Sequence, residues 1–526
     1  MTTITSLGRL AAVTPQPAVS QAGASSLGKN TLQGDVASPS TSVTLGQPAA
    51  VDTQVYSVAQ VLASAAAGPL WENKATDAIT SLMARNYSSQ PLAGQFHGLG
   101  AALLDRLKID GGDYSQSVLV GAPANASATG VDTLMQSQLH GQADNQISLD
   151  IKTASGATVH LSLGSQGNGL AVEMQVTGGT LTSADRAAIS KLSGAFQDAI
   201  DGLTAQPPHL DLGGLTQFDS NVLKSVDFHS SLKLDGVNPQ TVDFHADSKQ
   251  RTLSSTGLTG TVKVAVDMSN PAIFGNAKQQ AQAIQTYLKQ FDNANSRGHG
   301  DASLMGMFKD AFTELNSNIG AATQSRAPSA IALSDTDHSA LTGLADFTAS
   351  VSQAAVQSNP MRPSERDTFS YRVSQNTSVT GHSQDDRSIT QEQQSHLSAS
   401  YHMPLPGADA LKLTDSNQSQ NYLFYQIQDD ASSKTELGYD KGKLVNATST
   451  QSASQTTHVQ KYLMGALADD TTTPSQASRT QDLLGLLKSA QSKTGPMSLT
   501  DSYRQQQALF SISNRIALNG DPSQLR

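Results

Sequence analysis

The chain has no cysteine. Disulfide staples, thiolate metal centres, a Cys nucleophile and iron–sulfur clusters are therefore excluded together. A cysteine-free chain suits the cytoplasm, and equally a protein threaded unfolded through an export route that uses no signal peptide. Charge is also scarce: Asp, Glu, Lys and Arg make up 15% of residues, against roughly 25% in globular proteins generally. The net charge is -10, and no Lys/Arg cluster interrupts the acidic balance. No nucleic-acid partner is expected, because counterion release needs a basic face. Attraction to an anionic lipid surface is disfavoured for the same reason.

Long apolar runs are missing too. The most apolar stretch, 58–70, contains Gln60 and Ser64 and is too short to cross a bilayer, so no membrane span is expected. The start of the chain has no basic segment feeding an apolar one and does not read as a secretory signal. Aromatics amount to 5%, and Trp71 is the single tryptophan.

What is present is Ser, Thr, Gln, Asn, Ala and Gly around 37% hydrophobic residues, spread over 526 positions. That length is too great for one core and suggests two to four domains. Residues 1–50 are Ser/Thr/Ala-rich without periodic apolar signal and are expected to be a disordered tail. A helical unit is expected over 51–110. There Val55, Val58 and Leu62 share a face, as do Ala75, Ile79 and Met83, and Phe96, Leu99, Leu103 and Leu107. Residues 111–145 are weakly patterned.

Strict alternation begins near 146. Ile147, Leu149 and Ile151, then Val159, Leu161 and Leu163, then Leu170, Val172 and Met174 predict an antiparallel meander. Thr182 to Asp185 resembles a capping box, opening a helix with Ile189, Phe196 and Ile200; this unit spans 146–205. A second unit, 222–320, repeats the plan. Val226 and Phe228, Val242 and Phe244, then Val262, Val264 and Val266 alternate, and Asn270-Pro271 is a plausible helix start. Two helical stripes follow, one through Ile284 and Phe291 and one through Phe308 and Phe312, the latter capped by Asp301. The third region, 340–526, is expected to hold a helix with Leu344, Phe347 and Val351. Strands follow around Tyr371, Tyr401 and Tyr425, with Ser374 to Ser395 as wet strand ends or loops. Two closing helices carry Leu484 and Leu487, and Tyr503, Phe510 and Ile516. The fold class is α+β: repeated antiparallel meanders, each followed by amphipathic helices.

The sharpest chemical signal is a doubled motif, Val226-Asp227-Phe228-His229 and Val242-Asp243-Phe244-His245. Residues two apart on a strand share a face, so Asp227 with His229, and Asp243 with His245, meet water together. Two His and two carboxylates across a hairpin are a ligand set for a divalent transition metal. A turn centred near Val237–Asn238 would instead set His229 opposite a residue near Ala246. The ordinary account is a solvent-facing strand surface.

Other motifs carry less. Gly23 to Asn30 resembles a P-loop but lacks the Ser or Thr after Lys29 and a preceding strand. Gly164 to Gly169 joins meander strands rather than opening a helix, so no dinucleotide cofactor is indicated. His382, Ser383 and Asp385 are neighbours in sequence, whereas a triad is assembled in space. No HExxH, G-x-S-x-G or His pair at i, i+4 occurs. No catalytic residue and no cofactor is assigned beyond the metal option at Asp227, His229, Asp243 and His245. The leading expectation is a non-enzymatic interaction or surface protein of bacterial type, with a protein partner conceivable and export without a cleaved signal an option. A hydrolase or metal-dependent enzyme assembled only in the fold, and an intracellular scaffold, remain open.

Overall fold

The alternation read from 224–268 does produce strands, and they belong to a single sheet of fifteen. The computed structural model describes residues 68–120, 130–167, 169–319, 331–490 and 499–526. Of the two units into which the chain divides, Met1–Ser64 and Ala65–Arg526, all described residues belong to the second. The expectations for the tail, for Val55, Val58 and Leu62, and for the Gly23 loop lie outside them.

The strands are β1 (Pro69–Trp71), β2 (Tyr114–Val120), β3 (Asn145–Thr153), β4 (Thr158–Gln166) and β5 (Gly169–Thr177); then β6 (Leu223–Leu232), β7 (Gln240–Asp247), β8 (Gln250–Gly257), β9 (Gly260–Asp267) and β10 (Asp346–Gln353). Five longer ones close the sheet: β11 (Thr368–Thr380), β12 (Ser388–Pro404), β13 (Tyr422–Asp440), β14 (Lys443–Leu463) and β15 (Ala466–Asp482). Across the sheet the order is β1-β2-β5-β4-β3-β6, after which every strand pairs with the next in sequence through β15. All pairings are antiparallel. Mixed helices and antiparallel strands make the fold α+β. The two meanders expected over 146–177 and 222–268 exist, but β3 joins β6, so they share one sheet.

Helices cover one face, save for the one over Gly130–Gly141, whose Leu139 packs against Ala171 on the other. They are α1 (Ala78–Asn86), α2 (Leu92–Phe96), α3 (Leu99–Asp110), α4 (Gly130–Gly141), α5 (Ser183–Ser190), α6 (Ser193–Thr204), α7 (Ala277–Gly298), α8 (Ala302–Asn316), α9 (Asp335–Ser339), α10 (Leu484–Ala490) and α11 (Leu499–Ile516). None of these is long and apolar enough to cross a membrane. Thr182 and Asp185 form the expected capping box, and the Asp301 carboxylate accepts from the Leu304 N–H at 2.7 Å, which satisfies one orphan donor of α8.

Period two sends Val226, Phe228, Val242, Phe244, Val264 and Phe347 to the covered face, where all are buried. Against them α6 sets Phe196 edge-on to Phe228 at 6.2 Å. On α7 and α8, Phe291 lies 4.7 Å from Phe308 and 5.0 Å from Phe312, and Phe312 lies 5.0 Å from Phe347. Burying each such ring stabilises by about 1.5–3 kcal/mol.

From β11 to β14 the covered face changes character. Gln375, Gln391, Gln393, Ser433, Ser449 and Gln451 are buried there. They hydrogen-bond backbone rather than pack. Gln393 and Ser433 each donate to the Ile516 carbonyl at 2.8 Å, and Ser449 donates to Arg515 O at 2.7 Å. The last carbonyls of a helix have no partner within it; here the sheet supplies one. Beyond this polar seam lies a second apolar cluster with Ile389, Leu437, Leu487 and Ile512.

Several expectations are corrected. Leu344, Phe347 and Val351 are not helical: Phe347, Ala349 and Val351 alternate within β10, and pairing on both sides decides the matter. Asn270-Pro271 opens only a short 3-10 turn, while α7 starts six residues later under an Asn276 cap. Residues 111–145 hold β2 and α4, and Ser374 to Ser395 form most of the β11–β12 hairpin. The β6–β7 hairpin turns about Gly236, whose φ is +79°, with Asp235 accepting from the Val237 and Asn238 N–H groups. His229 therefore opposes Asp243, and Ala246 opposes Val226.

The outer edge of the sheet is guarded. β15 is exposed along nearly its whole length, and it carries Pro474 and the Asp469-Asp470 pair, both devices that discourage strand addition.

Candidate ligand-binding groove

The face opposite the main helical layer is concave over β3 and β6–β15: one cavity of about 1590 Å³ is lined by residues from β3 and from every strand of the β6–β15 meander. Eleven adjacent strands at about 4.8 Å spacing cover roughly 48 Å if flat. A single cavity touching all of them is a groove running across the strands.

Two register rows form its floor. The first passes from Asp150 through Asp227, His245, Thr252 and Ala265 to Thr348, then through Ser374, Gln394, Ser432, Ser452 and Ser478. The second lies two residues away on each strand. It passes from His229 through Asp243, Ser254, Lys263 and Ser350 to Arg372, His396, Asp430, Ser454 and Gln476. Because side chains alternate faces, a sheet held in register places these positions side by side.

The doubled motif is self-complementary in this arrangement. Antiparallel pairing centred on Phe228 opposite Phe244 sets Asp227 against His245 and His229 against Asp243. Nδ1 of His245 lies 2.5 Å from Asp227 Oδ1, and Nδ1 of His229 lies 2.6 Å from Asp243 Oδ1. The same contact recurs between His396 and Asp430 at 2.7 Å and, at the groove's end, between His160 and Asp150 at 2.8 Å. Partial burial pushes the His245 imidazole toward its neutral form, but the hydrogen bonds and charges of Asp227 and Asp247 outweigh it, and its pKa is raised. The four expected metal-site residues thus stand as two side-by-side pairs. Among the described residues no group of three or more His, Asp or Glu is arranged to hold a metal ion.

His382, Ser383 and Asp386 only shape the β11–β12 turn, where Asp386 accepts from both preceding backbone N–H groups. The motif search missed Lys263, Arg372, His396 and Asp430. Each is a single polar residue at an alternating position, and only the cross-strand register unites them.

No family of proteins matches this chain, and neither a curated protein nor a solved structure matches it.

Proposed function

We propose that the protein is a non-enzymatic binding protein whose groove takes an extended, hydroxyl-rich polymer, a glycan, laid across the strands. The observation that carries this reading is the pair of register rows, polar except at Ala265, that floor one groove over eleven and ten strands respectively. Ser, Thr and Gln side chains both donate and accept; at least one stands on β8 and on every strand from β10 to β15, at steps of about 4.8 Å, with Asp, His and Lys on the remaining strands. Sugar hydroxyls likewise donate and accept at short intervals. The contacts are spread evenly rather than focused at one point, which suits holding a polymer more than transforming one bond. An extended peptide typically adds to a sheet edge, and the exposed edge here is guarded.

Phe228 and Phe244 point into the core, so affinity rests on hydrogen bonds. A dissociation constant of about 0.1–1 mM is expected for a hexasaccharide. The test is titration calorimetry of the full chain with neutral and acidic hexasaccharides, repeated with Ser454→Trp, which narrows the groove at β14. Binding weakened roughly tenfold at an unchanged melting temperature supports the reading. No binding, or undiminished binding by Ser454→Trp, sinks it.

A second reading keeps a divalent metal at Asp227, His229, Asp243 and His245. Favouring it, each Nδ1 is held by a carboxylate, the support that metal-ligating histidines ordinarily have. Metal analysis of the purified protein, then of His229→Ala and His245→Ala, separates the two: no bound metal in any of the three discards it. Export is part of the proposal on grounds of composition alone. Comparing medium with cell pellet, with and without residues 1–50, tests it, and strict cellular retention removes it.

A further inference from the structure

We infer that Lys263 and Arg372 form a seat for an oxyanion, so that the polymer taken by the groove is an acidic glycan bearing carboxylate or sulfate groups; this rests on the glycan reading above.

The argument is one of charge placement. The carboxylates of Asp227, Asp243 and Asp430 are each taken up by an imidazole within 2.7 Å, and Asp150 by His160 just beyond. The two permanent cations are left over. The side chains of Lys263 and Arg372 make no hydrogen bond or ion pair with any described residue. Both stand directly opposite Ser350, one from each side.

Their surroundings hold no acid. Along their own strands the flanking same-face residues are Thr261 and Ala265 for Lys263, and Ser370 and Ser374 for Arg372; on the strand between them they are Thr348 and Ser352. The next residue outward in the row is Ser254 beside Lys263 and His396 beside Arg372. Asp243 and Asp430 come only one strand further out, and both already hold a histidine.

Two like charges two strands apart have Cα atoms roughly 10 Å from each other. They repel, and no carboxylate stands between them or on the strand beside either one. Both side chains are long and are rooted on either side of Ser350, whose hydroxyl adds a donor. An ammonium, a planar guanidinium fork and a hydroxyl carried on three neighbouring strands are the donor set that binds carboxylate, sulfate or phosphate oxygens. A neutral polymer would leave this patch unmatched.

Calorimetry on the full chain tests it with three probes: an oligogalacturonate hexamer, the same hexamer fully methyl-esterified, and a sulfated hexasaccharide. The acid is expected to bind about tenfold or more tightly than its ester, and that margin should shrink as salt rises. The Lys263→Gln/Arg372→Gln variant should lose the margin while still binding the ester. Stronger preference for the sulfated probe would support the seat and name sulfate as the group. Equal affinity of the native chain for acid and ester, or a margin that survives in the double variant, overturns the seat and leaves the groove reading standing. Binding of none of the probes overturns both.

Discussion

The two halves of the sheet present the same topology to the same helical layer and hold it by different means. Under β6–β10 the covered rows are Val226, Phe228, Val264 and Phe347, and contact is apolar. Under β11–β14 Gln375, Gln391, Gln393, Ser433, Ser449 and Gln451 enter the covered face, and contact is by hydrogen bonds, from Gln375 and Gln391 to residues 342–345 and from the other four to the chain around 515–517. Apolar burial is strong but non-directional. A buried hydrogen bond contributes only about 0.5–1.5 kcal/mol net, yet a group left without its partner costs about 1–3 kcal/mol. The first half thus supplies stability, and the second fixes where α11 and the residues after it must lie.

The contrast breaks first at Phe291, which meets Tyr287, Phe308, Phe312 and Tyr371. Phe291→Ala should cost about 3–5 kcal/mol in denaturant titration, with one cooperative transition. A loss below 1 kcal/mol would mean that the aromatic cluster does not anchor the layer.

Gln393→Leu probes the other half. Its amide donates to Ile516 O and accepts from Tyr287 Oη and the Leu518 N–H. The leucine removes the partner of the Leu518 N–H, while Ile516 O keeps Ser433 and Tyr287 Oη keeps Gln375, for an expected cost of about 1–3 kcal/mol. The damage should be local: amide hydrogen exchange should accelerate over 512–520 before it does in α7 and α8. Uniform acceleration everywhere would erase the distinction between the halves.

The same contrast decided what could be read from sequence. In the apolar half, period two was carried by Val and Phe, so β6, β7 and β9 were legible, as were the caps at Asp185 and Asp301. β8 was not, because its covered residues include Arg251, which donates to Leu315 O and Ser317 O at the end of α8, and Ser255. In the polar half β14 and β15 carry mostly Gln, Ser and Thr on both faces, so the reading stopped at the strand around Tyr425 and missed them. At the site, Asp227 and His229 were recognised as sharing a face, but their partners were not, because the apex fell at Gly236 instead of Val237–Asn238. The remaining groove residues answer to no local pattern. Lys263 and Arg372 lie 109 positions apart, and only the β9–β10–β11 pairing makes them neighbours.

The smallest expected effect concerns charge over the apolar half. Glu314 on α8 accepts from the Gly213 N–H, yet burial, reinforced by the negative charges of Asp211 and Asp310, raises its pKa. A carboxyl whose folded-state pKa lies above its unfolded one leaves stability intact at acid pH. It withdraws stability as pH rises from the ordinary carboxylate range through the raised value. Glu314→Gln keeps an amide oxygen for Gly213 and removes the charge, so it should stabilise by up to about 1 kcal/mol at neutral pH. That gain should shrink to nothing below the normal glutamate range, when both proteins are neutral at this position. Urea midpoints measured between pH 3.5 and 8 decide it. A gain that persists undiminished at the acid end would show that packing, and not the buried charge, is what the substitution changes.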